Sequence, residues 1–451
     1  MCQKLISVLC LSMLVLANVA AAQERTLKFP SDRSLGMVKL LPDPEDKLSW
    51  WWGNPPEETV AEAKGDVRVP ADKHVGLVVS REGWADLSPL VDLKPGAIEV
   101  LWLPCGTSKD KPGDGCLVPI SEMAGLKTLC LYEAGVTGAG LSLLTNMASL
   151  ERLSVWENDL DESAFAQLAQ IRSLRGLRFY TGSLVSAETL SLLASLPLLE
   201  DLFLPQLQRE AYSCLKQLAS LQALFLGGVG HGAELIAQLA HLTSLQHLSM
   251  GDLTDEELAA LPDMPSLKRL EIDGEGYEYT AAGFANLSHF TGLESLHVVG
   301  ALSDAAVAAI EPLTNLKELR FQAGMNDSRD FISDAALAHL ADFPSLEFLW
   351  LYFGRFNEEG LQHLSKLPNL KLLCMPNNMG LTDAGMEQLA KLCRLEQLKI
   401  RASNITDAGL MQLESLISLR ELRLFCRHQS QITDEAIAHL QEKIPGLVIE
   451  E

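Results

Sequence analysis

A six-residue pattern, L-x-x-L-x-L, recurs down this chain at near-constant spacing, and no other feature constrains the fold as strongly. Full copies are Leu126-Leu129-Leu131, Leu221-Leu224-Leu226, Leu346-Leu349-Leu351 and Leu419-Leu422-Leu424. With conservative replacements, hexads begin at 98, 126, 150, 174, 199, 221, 245, 267, 293, 316, 346, 370, 395, 419 and 444. That is fifteen copies, roughly 25 residues apart, a period that marks a stacked repeat architecture. A weaker copy at Val75-Val78 begins the array. One unit cannot bury its own leucines, whereas stacked units share a continuous core.

A second motif lies between hexads. It reads Leu381-Thr382-Asp383-Ala384-Gly385-Met386, then Ile405-Thr406-Asp407-Ala408-Gly409-Leu410. Looser versions start at Ile332-Ser333-Asp334 and Ile432-Thr433-Asp434. The Ser or Thr is a natural helix N-cap, and the Asp suits the positive helix start. Thr254-Asp255-Glu256-Glu257 spells a full capping box. Apolar residues at helical spacing follow, such as Leu410, Leu413 and Leu416. Each unit is therefore a short strand, a turn and a helix.

With these motifs the sequence resembles the leucine-rich repeat family, of the helix-bearing kind seen in ribonuclease inhibitor. The Ile-Thr-Asp-Ala-Gly-Leu phrasing is similar to that of secreted planctomycete-type bacterial repeat proteins. The resemblance implies an α/β leucine-rich repeat solenoid, a horseshoe with a parallel β-sheet on the concave face and helices on the convex face. It covers about residues 98–449 and transfers no catalytic motif, since repeat folds serve many partners.

The ends differ from the array. Residues 1–22 read as a cleaved signal peptide: Lys4, an apolar run from Leu5 to Ala17, and Ala20-Ala21-Ala22 before Gln23. Secreted or periplasmic localisation is expected, with no transmembrane segment in the mature chain. Residues 23–74 form an expected N-terminal capping segment before the array at 75–451. Trp50-Trp51-Trp52 there has two readings, a buried cap over the first repeat or an exposed aromatic knob. Seven cysteines remain after the leader; Cys105 and Cys116 flank a polar loop and are expected to form a disulfide. No C-x-x-C spacing suggests a metal, and no cofactor is expected.

In each hexad positions 1, 4 and 6 point inward, so 3, 5 and 7 face the concave surface. Aromatics gather there although they make up only 6% of the chain. Tyr132, Trp156 and Tyr180 share position 7 on three successive strands, with Trp102, Phe203 and Phe225 at position 5. Phe348, Trp350 and Tyr352 share one strand. Over these positions of the first fourteen hexads seven bases meet five acids, although the whole chain carries −23. The concave face is thus not an acidic grip for a basic partner, and Lys399, Arg401 and Arg423 are expected to hold an anion.

Catalytic signals are weak. Glu271 and His297 share a phase on adjacent strands, an expected orienting pair without a nucleophile, because Ser249 lies about 9–10 Å from His297 across the intervening strand. Phosphate-loop and dinucleotide fingerprints are missing. Asp273 to Glu278 and Met325 to Asp330 read as solvated acidic loops. The acidity disfavours nucleic acid. The expectation is a non-catalytic exported binding module for a protein, peptide or glycan; the alternative is a structural or surface-assembly scaffold.

Overall fold

A computed structural model describes residues 24–41, 58–104, 111–158, 160–180, 182–228, 231–322 and 332–450. The expected leader, Trp50-Trp51-Trp52, Cys105 and the Met325–Asp330 loop lie outside the described residues. The chain forms two compact units, one ending at Leu202 and one beginning at Phe203.

The first unit opens with antiparallel pairing. Glu24–Lys28 runs against Asp66–Pro70, and Gly36–Leu40 lies between Thr59–Glu62 and Val75–Val79. Gly36 has φ +145, and a Cβ there would come within 2.0 Å of the Val78 carbonyl oxygen, so only glycine fits this close pairing. From Val75–Val79 onward the sheet is parallel, through Val100–Pro104, Thr128–Tyr132, Arg152–Trp156 and Gly176–Phe179. The antiparallel strands therefore cover an edge that the first parallel strand would otherwise leave unpaired. Leu101, Leu129, Leu153 and Leu177 stand in register and are fully buried.

The second unit continues the same design from Ala223–Leu226 to Val448–Glu450. Its ladder of Leu224, Leu248, Leu270, Leu296, Leu319, Leu349, Leu373, Leu398 and Leu422 is likewise buried. Thr254 and Glu257 make the capping box read from sequence. The expected loop from Asp273 to Glu278 is a correction: strand Arg269–Tyr279 runs through it. Its pairing with Ser295–Leu302 shifts register between Asp273 and Glu278. Tyr279 holds the extension down, fully buried and donating from its hydroxyl to the Leu253 carbonyl at 2.7 Å.

A charge ladder accompanies the leucines. The residue preceding most parallel strands alternates in character: His74, Glu99, Lys127, Glu151, Arg175, Glu200 in the first unit, and, after the neutral Gln222 and Gln246, Lys268, Glu294, Lys317, Glu347, Lys371, Glu396, Arg420 in the second. Lys127 lies 2.6 Å from Glu99, Lys317 2.7 Å from Glu294 and Lys371 2.6 Å from Glu347. Each such partly exposed pair contributes little alone, about 0–1 kcal/mol, but a slipped repeat would bring like charges together.

Candidate functional site

In the first unit the outward face is mostly closed by its own side chains. Thr128, Cys130, Arg152 and Ser154 are all buried, with Arg152 within 3.3 Å of Asp201. Trp102, expected on the surface, is a core residue at 3% exposure. Gly76 lies beneath the indole, where a Cβ would approach it to 2.5 Å, and Leu41, Val100 and Cys130 enclose it. Position 7 is different. Tyr132 pairs in register with Trp156, and Tyr132 and Tyr180 are 40% and 44% exposed. The rings of Trp156 and Tyr180 sit 5.3 Å apart, tilted by 39°, and the Arg178 guanidinium lies 4.2 Å over the Trp156 ring. Desolvation pushes the Tyr132 phenol above its ordinary value, helped by the negative Glu157 and Glu133 beside it. Burial lowers the Arg178 guanidinium.

The second unit sorts its expected residues in three ways. Phe225 is buried at 1% and meets His247 edge-on at 4.6 Å, so it packs the sheet and is not exposed. Phe203 is half-buried, its ring above Gly227. Phe348 and Tyr352 are exposed, and Trp350 between them is half-buried with the Arg320 guanidinium 4.8 Å over its ring. The expected cation group is largely spoken for. Lys399 lies 2.7 Å from Glu421, and Arg423 lies 3.6 Å from Glu450 and 5.1 Å over Phe425. Arg401 donates from Nε to the Ser403 hydroxyl at 3.2 Å.

A line of charge crosses four strands of this unit. His247, 4% exposed, lies 3.4 Å from Glu271, Arg269 joins Glu271 (3.3 Å) to Glu318 (3.0 Å), and Arg320 donates to Glu318 at 2.6 Å. Burial would raise the Glu271 carboxyl, but His247, Arg269 and His297 together hold it at about 2. Burial lowers His297, with Glu271 opposing. The expected Glu271–His297 pair is thus corrected: the two are register neighbours, but Glu271 makes its short contacts to His247 and Arg269. Among the described residues no cluster of three His, Cys, Asp or Glu side chains could hold a metal ion. Cys116 is a free buried thiol, and its expected partner Cys105 lies outside the described residues.

A family model described as "Leucine-rich repeat region" matches residues 119–360, more than half of the chain. The chain belongs to the leucine-rich repeat family. No curated protein sequence matches it. Among solved structures it is similar to an internalin (inlF) from Listeria monocytogenes, at 19% identity and a TM-score of 0.39, over 74% of this chain and 82% of that one. A leucine-rich repeat protein of Leptospira interrogans matches at 16% identity and a TM-score of 0.38, over 81% and 98% of the two chains. TLR13, in its complex with ssRNA13, matches at 17% identity and a TM-score of 0.48, over 79% of this chain and 60% of that one.

Leucine-rich repeat proteins are commonly binding modules, and the strand face here carries fixed aromatic and charged side chains suited to contact. Sequence phase located Tyr132, Trp156 and Tyr180 but missed the part played by Arg178, which lies at position 5 of the repeat that carries Tyr180 and leans over Trp156. It also missed the line from His247 to Arg320. The only signal for it was the alternation of acids and bases at positions 3 and 5 from His247 to Arg320.

Proposed function

We propose that this leucine-rich repeat protein is an exported, non-catalytic binding module that takes a protein or peptide on the strand face of its repeats. In this reading it is of the helix-bearing, ribonuclease-inhibitor-like type, similar to secreted bacterial relatives of the planctomycete kind. The observation that carries the reading is the exposure of Tyr132 and Tyr180 on strands whose other outward residues are largely buried. Aromatic rings held in water beside a fixed guanidinium are the residue types that dominate protein interfaces. A polypeptide fits better than a glycan, because Arg178 covers the indole on which a sugar ring would stack flat. Export rests on the pattern of residues 1–22, and a mature amino terminus at Gln23 is what sequencing of secreted protein should find.

The test is capture of partners from a secreted fraction by the full chain and by its Trp156→Ala/Tyr180→Ala variant. Loss of a specific partner in the variant, at unchanged melting temperature, supports the reading. Retention in the variant, with loss in His363→Ala on the helix Glu358–Leu364, would move the partner to the helices and sink it.

A further inference from the structure

The second unit carries a separate patch, on strands Glu318–Gln322 to Glu421–Phe425. Three of its four outward cations have a carboxylate: Arg320 with Glu318, Lys399 with Glu421, and Arg423 with Glu450. Arg401 has none among the described residues. Among the described residues it donates from Nε to the neutral Ser403 hydroxyl at 3.2 Å, and its two terminal nitrogens, on a half-buried guanidinium, are left available there. Lys399 and Arg401 occupy one strand, and the pairing Arg401↔Phe425 sets the guanidinium beside an aromatic side chain. Two strands away the exposed ridge of Phe348 and Tyr352 begins. At about 4.8 Å per strand, Tyr352 and Arg401 are roughly 10 Å apart, which an extended chain covers in about three residues.

We propose that this patch is a docking site for an acidic, extended peptide segment, whose carboxylate is held by Arg401 and whose apolar side chain lies against Tyr352. A planar guanidinium with two parallel N–H donors is the natural receptor for a carboxylate. Charge complementarity selects the partner: on a chain that carries −23, the four cations of this patch meet three carboxylates, so it turns a positive charge toward an acidic segment. The proposal rests on the reading that the strand face is the binding face, but on residues of the other unit from Trp156 and Tyr180.

The experiment measures fluorescence anisotropy of a labelled octapeptide carrying one phenylalanine among glutamates, with its lysine counterpart, against the full chain at 0.15 M salt. The acidic peptide should bind more tightly than the lysine one. Arg401→Glu should weaken it at least tenfold, Tyr352→Ala several-fold, and Arg401→Lys less than Arg401→Glu. Lys391→Glu, on an exposed residue of the helix side, should stay within twofold. Melting temperatures check that each variant is folded, and Arg401→Gln serves if Arg401→Glu is not. Preference for the lysine peptide, or acidic-peptide binding indifferent to every Arg401 variant, overturns the proposal. If Trp156→Ala/Tyr180→Ala abolishes binding and Arg401 changes do not, this site is wrong while the proposed function stands. If the acidic peptide needs Arg401 and is untouched by the Trp156/Tyr180 variant, the site stands by itself.

Discussion

Asp383 accepts two hydrogen bonds from Thr406 of the next repeat, one from the backbone N–H at 2.9 Å and one from the hydroxyl at 2.6 Å. Thr406 meanwhile caps its own helix through Ala408 N–H. The same bracket joins Thr137 to Asp114, Thr280 to Asp255, Ser333 to Asp304 and Thr433 to Asp407. The Gly of the Thr-Asp-Ala-Gly phrase makes room for it: a Cβ on Gly409 would stand 2.1 Å from Asp383 Oδ1. The motif therefore encodes a helix cap and an inter-repeat clamp together.

A double-mutant cycle tests the clamp. Asp383→Ala leaves the Thr406 N–H without its partner and should cost about 1–3 kcal/mol. Gly409→Ala should also destabilise, by collision with Asp383. The double variant should lose less than the sum, because removing the carboxylate removes the main clash. Strict additivity in urea denaturation midpoints would refute the coupling.

Burial separates two aromatic residues that sequence phase treats alike. Trp102→Ala should destabilise by about 3–5 kcal/mol through cavity formation. Tyr180→Ala, at an exposed ring, should change stability by about 1 kcal/mol or less. Thermal melts of the two variants provide the comparison, and equal losses would place Tyr180 in the core.

The leucine ladder sets a larger contrast. Leu349→Ala should cost about 2–5 kcal/mol, since the side chain is fully buried, whereas Lys391→Ala should stay within roughly 0.5 kcal/mol. Similar effects at both positions would contradict the repeat register.

Acid should weaken the second unit through Glu271. Its carboxyl is held at about 2 in the fold, below the roughly 4.3 of an unfolded glutamate. A depressed acid contributes stability in full above the unfolded value and loses it as pH falls toward the folded one. Melting temperature should therefore drop between about pH 4.5 and pH 2, and Glu271→Gln should flatten that part of the profile. An unchanged slope in the variant would show that other carboxylates govern acid unfolding.

Cysteine reactivity should follow burial. The Cys116 and Cys130 thiols are both pushed up to about 12, chiefly by desolvation, so neither should alkylate in native protein at pH 8. Cys393 is exposed and should label readily. Mass spectrometry without reduction also reads directly whether Cys105 and Cys116 pair in exported material. Rapid labelling of Cys116 would contradict its burial.

Sequence alone determined the repeat, its period, the strand and helix of most units and the side of the strand that the hexad residues face, but not the strand that runs through Asp273–Glu278. These follow from local rules: two-residue alternation along a strand, 3.6-residue periodicity along a helix, and caps read within four residues. Leu129 and Leu349 could be assigned to the core on that basis, and Tyr132 and Arg401 to the opposite face. Exposure on that face is not a local property. It depends on what a strand some 25 residues away places alongside, so Gly76 lets Trp102 sink into the core while Trp156 and Tyr180 lean on each other at the surface. Charge pairing has the same origin. Arg269 reaches Glu318 two strands away, and Lys399 finds Glu421 where Arg401, among the described residues, meets the Ser403 hydroxyl, because ion pairs form between side chains brought together by stacking and not by sequence phase.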